Sequence, residues 1–181
     1  MHERSPKNQA IDTILYEIDL LRHCATSLDE KRRSAKESMP SRCEYYLGIE
    51  GFLLHLRNIL AFFTNRKDKA SDLIINEPQV WAGKEIDQRQ YSDLVKRARE
   101  INEAYGERES TCYDQISKFL NHCTTLRHER AKGWEIDAMY VEIEQVVSEF
   151  ENRFAGLAMV VTSESPPEHT GNSTASVRTF R

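Results

Sequence analysis

Eight apolar side chains, Ile136, Tyr140, Ile143, Val147, Phe150, Phe154, Leu157 and Val161, recur at steps of 4-3-4-3-4-3-4. Only an α-helix returns a side chain to one face at that interval, so the stretch predicts a helix with a single apolar stripe. Such a stripe is stable in water only when neighbours cover it. The same alternation of threes and fours recurs in four earlier windows, so the neighbours are in the same chain.

The first window is Ile11, Ile14, Ile18, Leu21, Ala25 and Leu28, with Ser5-Pro6 before it as N-cap and first-turn proline. The second is Tyr45, Ile49, Phe52, Leu56, Ile59 and Phe63, where Ser41 and Glu44 match the Ser-x-x-Glu capping box. This helix carries a further apolar line, Leu47, Leu54 and Ala61, on its opposite side. A helix greasy on two faces is central in its bundle or shared with a partner chain. Between these helices the basic, polar run Lys31 to Met39 reads as a connector or as frayed helix ends.

Residues 65–86 interrupt the periodicity, since Pro78 forbids a straight helix interior and Trp81 and Gly83 follow it. A loop with one helical turn, its indole covering the core, is expected there. Asp87-x-x-Gln90 would cap a third helix through Tyr91, Leu94, Ala98, Ile101 and Tyr105, closed by Gly106 in the left-handed conformation. A fourth helix starts near Ser110 or Thr111, carries Cys112, Ile116, Phe119, Cys123 and Leu126, and stops at Gly133, with Trp134 plugging the turn. The stretch 162–181 is rich in Ser and Thr, contains Pro166-Pro167, and reads as a disordered tail. The expected architecture is an all-α, antiparallel up-and-down bundle of about five helices, residues 1–161 forming one domain.

Composition narrows the function. Twenty-five Lys and Arg against 29 Asp and Glu leave a net charge of −4, which argues against a surface coated for nucleic acid, though not against a local basic patch. The N-terminus lacks the apolar run of a secretory signal, and the most apolar stretch, Phe52 to Phe63, contains His55, Arg57 and Asn58. A cytoplasmic protein without a membrane span is expected. Cys24, Cys43, Cys112 and Cys123 have no C-x-x-C spacing and read as small buried hydrophobes or idle thiols.

Polar residues set into the apolar pattern are the candidates for function. On the second helix His55 borders the apolar face, while Arg57 and Glu50 share a flank. A guanidinium there needs an acceptor: Glu50 or an acid on another helix, or else the phosphate or carboxylate of a ligand. On the fourth helix Gln115, Lys118, His122, Thr125 and Glu129 form a polar stripe, and Arg127, Arg130 and Lys132 follow with Glu129 as their only acid. Those cations suit a helix C-terminal dipole, or equally an anion such as RNA phosphate. No phosphate-loop, dinucleotide, nucleophile-elbow or zincin motif is present, and no Glu-x-x-His pair suggests a di-iron site. Glu142, Glu144, Glu149 and Glu151 read as a solvated flank of the fifth helix. His122, Cys123 and His128 do not converge as metal ligands, because consecutive helical residues point apart. Neither a metal nor another cofactor is expected.

Two local patterns carry a resemblance: His55-x-Arg57-Asn58-x-Leu60-x-Phe62-Phe63, and Lys118-x-x-Asn121-His122 followed by Arg127 and Trp134. They resemble a group of small uncharacterised bacterial all-helical proteins. More distantly, over roughly residues 44–154, the layout is similar to HEPN domains, the often dimeric helical bundles of toxins, RNases and phage-defence systems. The resemblance implies an RNA- or anion-binding site at a helix or dimer interface, here drawn from His55, Arg57, Asn58, Lys118, Asn121, Arg127 and Arg130. Catalytic HEPN domains carry an Arg followed four to six residues later by His on one helix, and His55, His122 and His128 have no such Arg. The leading expectation is therefore a homodimeric binding module with RNA or a nucleotide as ligand. The alternatives are a metal-independent RNase, with His122 as general acid/base and Arg57 and Arg127 as phosphate clamps, and a purely structural oligomerisation domain.

Overall fold

A computed structural model describes residues 9–36, 38–81, 87–107, 109–121 and 133–158. Among them the chain is all-helical, with five α-helices: α1 (Gln9–Ser34), α2 (Met39–Thr64), α3 (Ser92–Ala104), α4 (Cys112–Asn121) and α5 (Ile136–Ala158). Short 3₁₀ turns, Pro78–Trp81 and Gln88–Gln90, punctuate the link between α2 and α3. The Ser5-Pro6 cap and the segment expected to prolong the fourth helix through Cys123 and Leu126 lie outside the described residues, as do residues 159–181.

The predicted stripes form the core. Ile11, Ile14, Ile18, Leu21 and Leu28 of α1 are buried, and so are Ile136, Ile143, Val147, Phe150 and Phe154 of α5. On α2, Phe52, Leu56, Ile59 and Phe63 are wholly buried. At 26 residues α2 is long and apolar enough to cross a bilayer by those two criteria alone. Here its inner face is instead buried against the other helices.

α1 and α2 approach closely because α2 has two glycines on the contact face. A Cβ on Gly48 would lie 3.0 Å from Leu28 Cδ2, and one on Gly51 would lie 3.0 Å from Cys24 Sγ. Nearer the other end of α2, His55 and Asn58 meet Glu17.

An aromatic cluster fills the space between the end of α2, the 3₁₀ turn and α5. Phe62, Phe63 and Phe150 meet edge to face at centroid separations of 5.1 to 5.7 Å, the arrangement favoured by ring quadrupoles. Trp81 stacks on Tyr91 and lies 4.4 Å from Phe154, and its Nε1–H donates to the Ile75 carbonyl at 2.8 Å. The indole thus covers the core as its place after Pro78 suggested, with its one polar atom satisfied.

The caps differ from the sequence reading in three places. α2 starts at Ser38, whose hydroxyl accepts from the Ser41 N–H at 3.2 Å, not at a Ser41/Glu44 box. Pro40 explains the shift: lacking an N–H, it suits the first turn, so the cap must precede it. Asp87 caps only the 3₁₀ turn, accepting from the Arg89 N–H, and α3 begins at Ser92. Gly106 ends α3 without a left-handed backbone; a Cβ there would sit 2.5 Å from the Ser110 carbonyl oxygen, so glycine serves the tight 106–110 turn.

Ion pairs tie α5 to its neighbours, which corrects the expectation of a merely solvated acidic flank. Arg22 of α1 donates from Nη2 to Glu144 and Glu151, each at 2.7 Å, and Arg153 donates to Asp93 of α3 at 2.6 Å. Glu142 accepts from the Tyr105 hydroxyl; burial first, and that carboxylate second, push the phenol up to about 12. The cysteines also diverge: Cys112 is buried, Cys24 half-buried, and Cys43 exposed.

Candidate functional site: a polar cluster between α2 and α4

The cluster begins where α2 ends. Asn65 adopts the left-handed conformation (φ 60°), which asparagine tolerates better than most residues, and the N–H groups of Asn65 and Arg66 both reach back to the Ala61 carbonyl. The chain then turns sharply. The N–H groups of Asp68 and Lys69 donate to Asp72 Oδ2 at 3.0 and 2.8 Å, which holds the turn. In this way Arg66 and Asp68 come beside α4.

The first turn of α4 is built to receive them. The Thr111 N–H donates to Asp114 Oδ2 and the Asp114 N–H donates to Thr111 Oγ1, each at 3.3 Å, a capping box that the Thr111 hydroxyl tightens by donating to Asp114 Oδ2 at 2.7 Å. Asn102, buried on α3, accepts the Tyr113 N–H at 2.9 Å. Tyr113 is thereby fixed with its phenol toward α2.

Three charges converge on that phenol, and a fourth, Asp114, pairs with one of them. Arg57 of α2 donates from Nε to Ser117 Oγ at 2.7 Å and from Nη2 to the Tyr113 hydroxyl at 2.9 Å, its Cζ lying 4.8 Å from the ring centroid. Arg66 places its Cζ 4.0 Å from the same centroid and pairs with Asp114 at 2.8 Å. Asp68 accepts a hydrogen bond from the Tyr113 hydroxyl and lies 3.6 Å from both guanidinium groups. The phenolic hydrogen bond, then the two cations, hold the Asp68 carboxyl below its usual range despite slight desolvation. Burial and the neighbouring Asp68 push the Tyr113 phenol up, partly offset by Arg57. The Asp114 carboxyl also lies low: burial raises it, but Thr111 and Arg66 together outweigh that.

Arg57 therefore finds acceptors on α4, at Ser117 and Tyr113, and in the loop, at Asp68. Its side chain is 24% exposed and Asp68 is 45% exposed, so the cluster opens to solvent on the loop side. Lys118 is exposed one helical turn beyond Asp114.

The other predicted site residues do not join this cluster. Two positions apart on a helix are about 200° apart in direction, so His55 faces α1 while Arg57 faces α4. His55 Nδ1 lies 2.8 Å from Glu17 Oε2, which also accepts from Asn58 Nδ2 at 2.9 Å. Burial raises the Glu17 carboxyl, but the hydrogen bonds from His55 and Asn58 bring it below its usual range. Asn121 closes the last described turn of α4, whereas His122, Arg127 and Arg130 lie outside the described residues. Arg66, Asp68, Tyr113, Ser117 and Glu17 were not anticipated. The legible signal nearest to them is Thr111-x-x-Asp114, which marks where α4 begins and so brackets Tyr113.

What this arrangement can do is hold an anion: two guanidinium groups braced on an aromatic face, with a hydroxyl on either side. Asp68 occupies the anion position. Among the described residues no three His, Cys, Asp or Glu side chains form a group able to hold a metal ion. A separate groove of about 420 Å³ along α3, between Asn65, Tyr91, Val95 and Arg99, presents amides and hydroxyls, and its Lys96 pairs with Glu100 at 3.8 Å. The chain matches no family model, no curated protein and no solved structure.

Proposed function

We propose that the chain is a HEPN-like helical binding module, of the defence or toxin type, that takes a phosphate-bearing ligand such as RNA at Arg57, Arg66 and Lys118. The antiparallel, up-and-down arrangement that this reading assumes is supported by the contacts of α1 with α2, since Glu17, Cys24 and Leu28 meet positions 55, 51 and 48 in descending order. The observation that carries the reading is the exposed Asp68 carboxylate held between two guanidinium groups. An internal carboxylate there satisfies the cations while the site is empty, and the non-bridging oxygens of a phosphate compete for the same donors. Arg57 and Arg66, braced on Tyr113, need little reordering to accept it.

The test is a titration of the full chain with single-stranded RNA and with inorganic pyrophosphate at low salt. Binding should weaken as salt rises. Arg66→Ala should weaken it about tenfold, the usual scale for one charge-assisted hydrogen bond. Asp68→Asn should tighten it several-fold by removing the internal competitor. Absence of binding at low salt, or weaker binding by Asp68→Asn, would refute the proposal.

A further inference from the structure

The turn between α1 and α2 concentrates positive charge in a chain whose net charge is −4. Residues 31–43 contain Lys31, Arg32, Arg33, Lys36 and Arg42 against Glu37 as their one acid. Asp29 and Asp137 lie within ion-pair reach of Arg32. Arg33, Lys36 and Arg42 are exposed, and none of them has an ion pair among the described residues; Arg33 donates from Nε to the Asp29 carbonyl at 3.2 Å.

Beside these cations the first two turns of α2 expose apolar surface. Met39 is 68% exposed, Tyr46 57% and Leu47 66%. Met39 and Tyr46 are seven residues apart, within about 20° of one direction on the helix, and the exposed Cys43 fills the space between that direction and Leu47. Gly48, which meets Leu28 of α1, is nine residues from Met39 and so about 180° round the helix, hence the apolar face points away from α1. Arg42 comes three residues after Met39 and four before Tyr46 and borders both. Glu44 lies on the other flank, about 140° round from Met39. Glu50, half-buried and with a partner inside the chain, closes the patch one turn beyond Tyr46.

We infer that this α1–α2 corner docks on the surface of an anionic phospholipid bilayer, lying on it without crossing. Unpaired, exposed cations grouped at one corner call for an external anion, and acidic headgroups present many of them in one plane. The apolar face decides between a bilayer and a nucleic acid. Methionine and leucine gain nothing from a phosphate backbone in water, whereas between headgroups they leave water altogether. A tyrosine suits the same boundary, because its ring enters while its hydroxyl stays wet. Charge and apolar contact each contribute a part, so the attachment is reversible and sensitive to salt. The inference goes beyond the anion-binding reading and uses none of the residues of that cluster.

The test is sedimentation of the full chain with vesicles of phosphatidylcholine alone and of phosphatidylcholine mixed with phosphatidylglycerol. Binding to the mixed vesicles is expected, weaker as salt rises, with none to phosphatidylcholine alone. Lys36→Gln and Arg42→Gln should each weaken it about fivefold, the scale of one cation beside a charged surface. Met39→Ser combined with Leu47→Ser should weaken it about tenfold, through the apolar area that no longer leaves water. These positions are exposed, so the helical dichroism spectrum should stay unchanged in every variant. No binding to the mixed vesicles, equal binding to phosphatidylcholine alone, or full binding by the Met39/Leu47 double variant would overturn the inference. A loss of RNA binding instead of vesicle binding in Lys36→Gln and Arg42→Gln would assign the corner to nucleic acid and overturn it too. Arg66→Ala keeps the two proposals apart: vesicle binding should survive it, and its loss would place the headgroups at the anion cluster and not at this corner.

Discussion

The loop that leaves α2 supplies each of two clusters beside the end of that helix with a key residue, and the two use it differently. In one, Trp81 enters a dry aromatic cluster with Tyr91, Phe150 and Phe154. In the other, Asp68 enters a half-open polar cluster with Arg57, Arg66 and Tyr113. The dry cluster draws its stability from area removed from water and depends little on the screening of charges. The wet cluster gains little net energy, because its charges give up hydration to meet, and it gains specificity of geometry instead. A binding site belongs at such a cluster, since a ligand can replace one internal partner there without opening the core.

Substitutions can break this contrast. The largest effect is expected from Trp81→Ala, which removes a fully buried indole and leaves a cavity costing about 3 to 5 kcal/mol. Calorimetry should find the melting temperature lowered by roughly 10 °C, at about 2 to 4 °C per kcal/mol for a chain of this size. A drop of only a degree or two would mean that the cluster does not close the core.

Arg57→Ala is expected to cost less, about 1 to 3 kcal/mol, through the acceptors it leaves behind at Ser117 and Tyr113. Urea unfolding in low and high salt sharpens the comparison. Trp81→Ala should show the same deficit in both, while the Arg57→Ala deficit should shrink as salt rises. Equal salt dependence in the two variants would mean that the two clusters are not held by different forces.

The smallest effect concerns pH. The Glu17 carboxyl lies below its usual value of 4.5 in the folded chain, so its contribution is complete above that value and is lost as pH falls through the folded one. Glu144 behaves alike: burial raises it, but Arg22 and Ser148 bring it down. The melting temperature should therefore decline below about pH 4.5, and Glu17→Gln should give a shallower decline. A steeper one would mean that the carboxylate does not stabilise the α1–α2 contact.

How much of this could be read from residues alone depends on the range over which each feature is encoded. The stripes are local: Ile18, Leu56 and Val147 each fall at the position their periodicity predicts, and each is fully buried. Trp81 over the core was also legible, because, of the side chains in that loop, an indole loses most by staying in water. The partners of Arg57 were not. Ser117 and Tyr113 lie 60 and 56 positions away, and Asp68 belongs to a segment with no periodicity. The spacing shows that Arg57 needs an acceptor, and only the path of the turn after Asn65 shows which. Likewise the pairing of Arg22 with Glu144 and Glu151 spans 122 and 129 positions, so an acidic flank that looks solvated in one helix is a clamp once two helices meet.

Only two tryptophans are present in the chain, and they differ in surroundings: Trp81 is 2% exposed and stacked on Tyr91, whereas Trp134 is half-buried and meets Phe119 edge to face at 5.8 Å. The molecule thus contains its own pair of fluorophores. With Trp81→Phe the remaining indole reports the docking of α4, and with Trp134→Phe emission follows the closing of the aromatic cluster, so the order in which the two regions assemble can be timed without any dye.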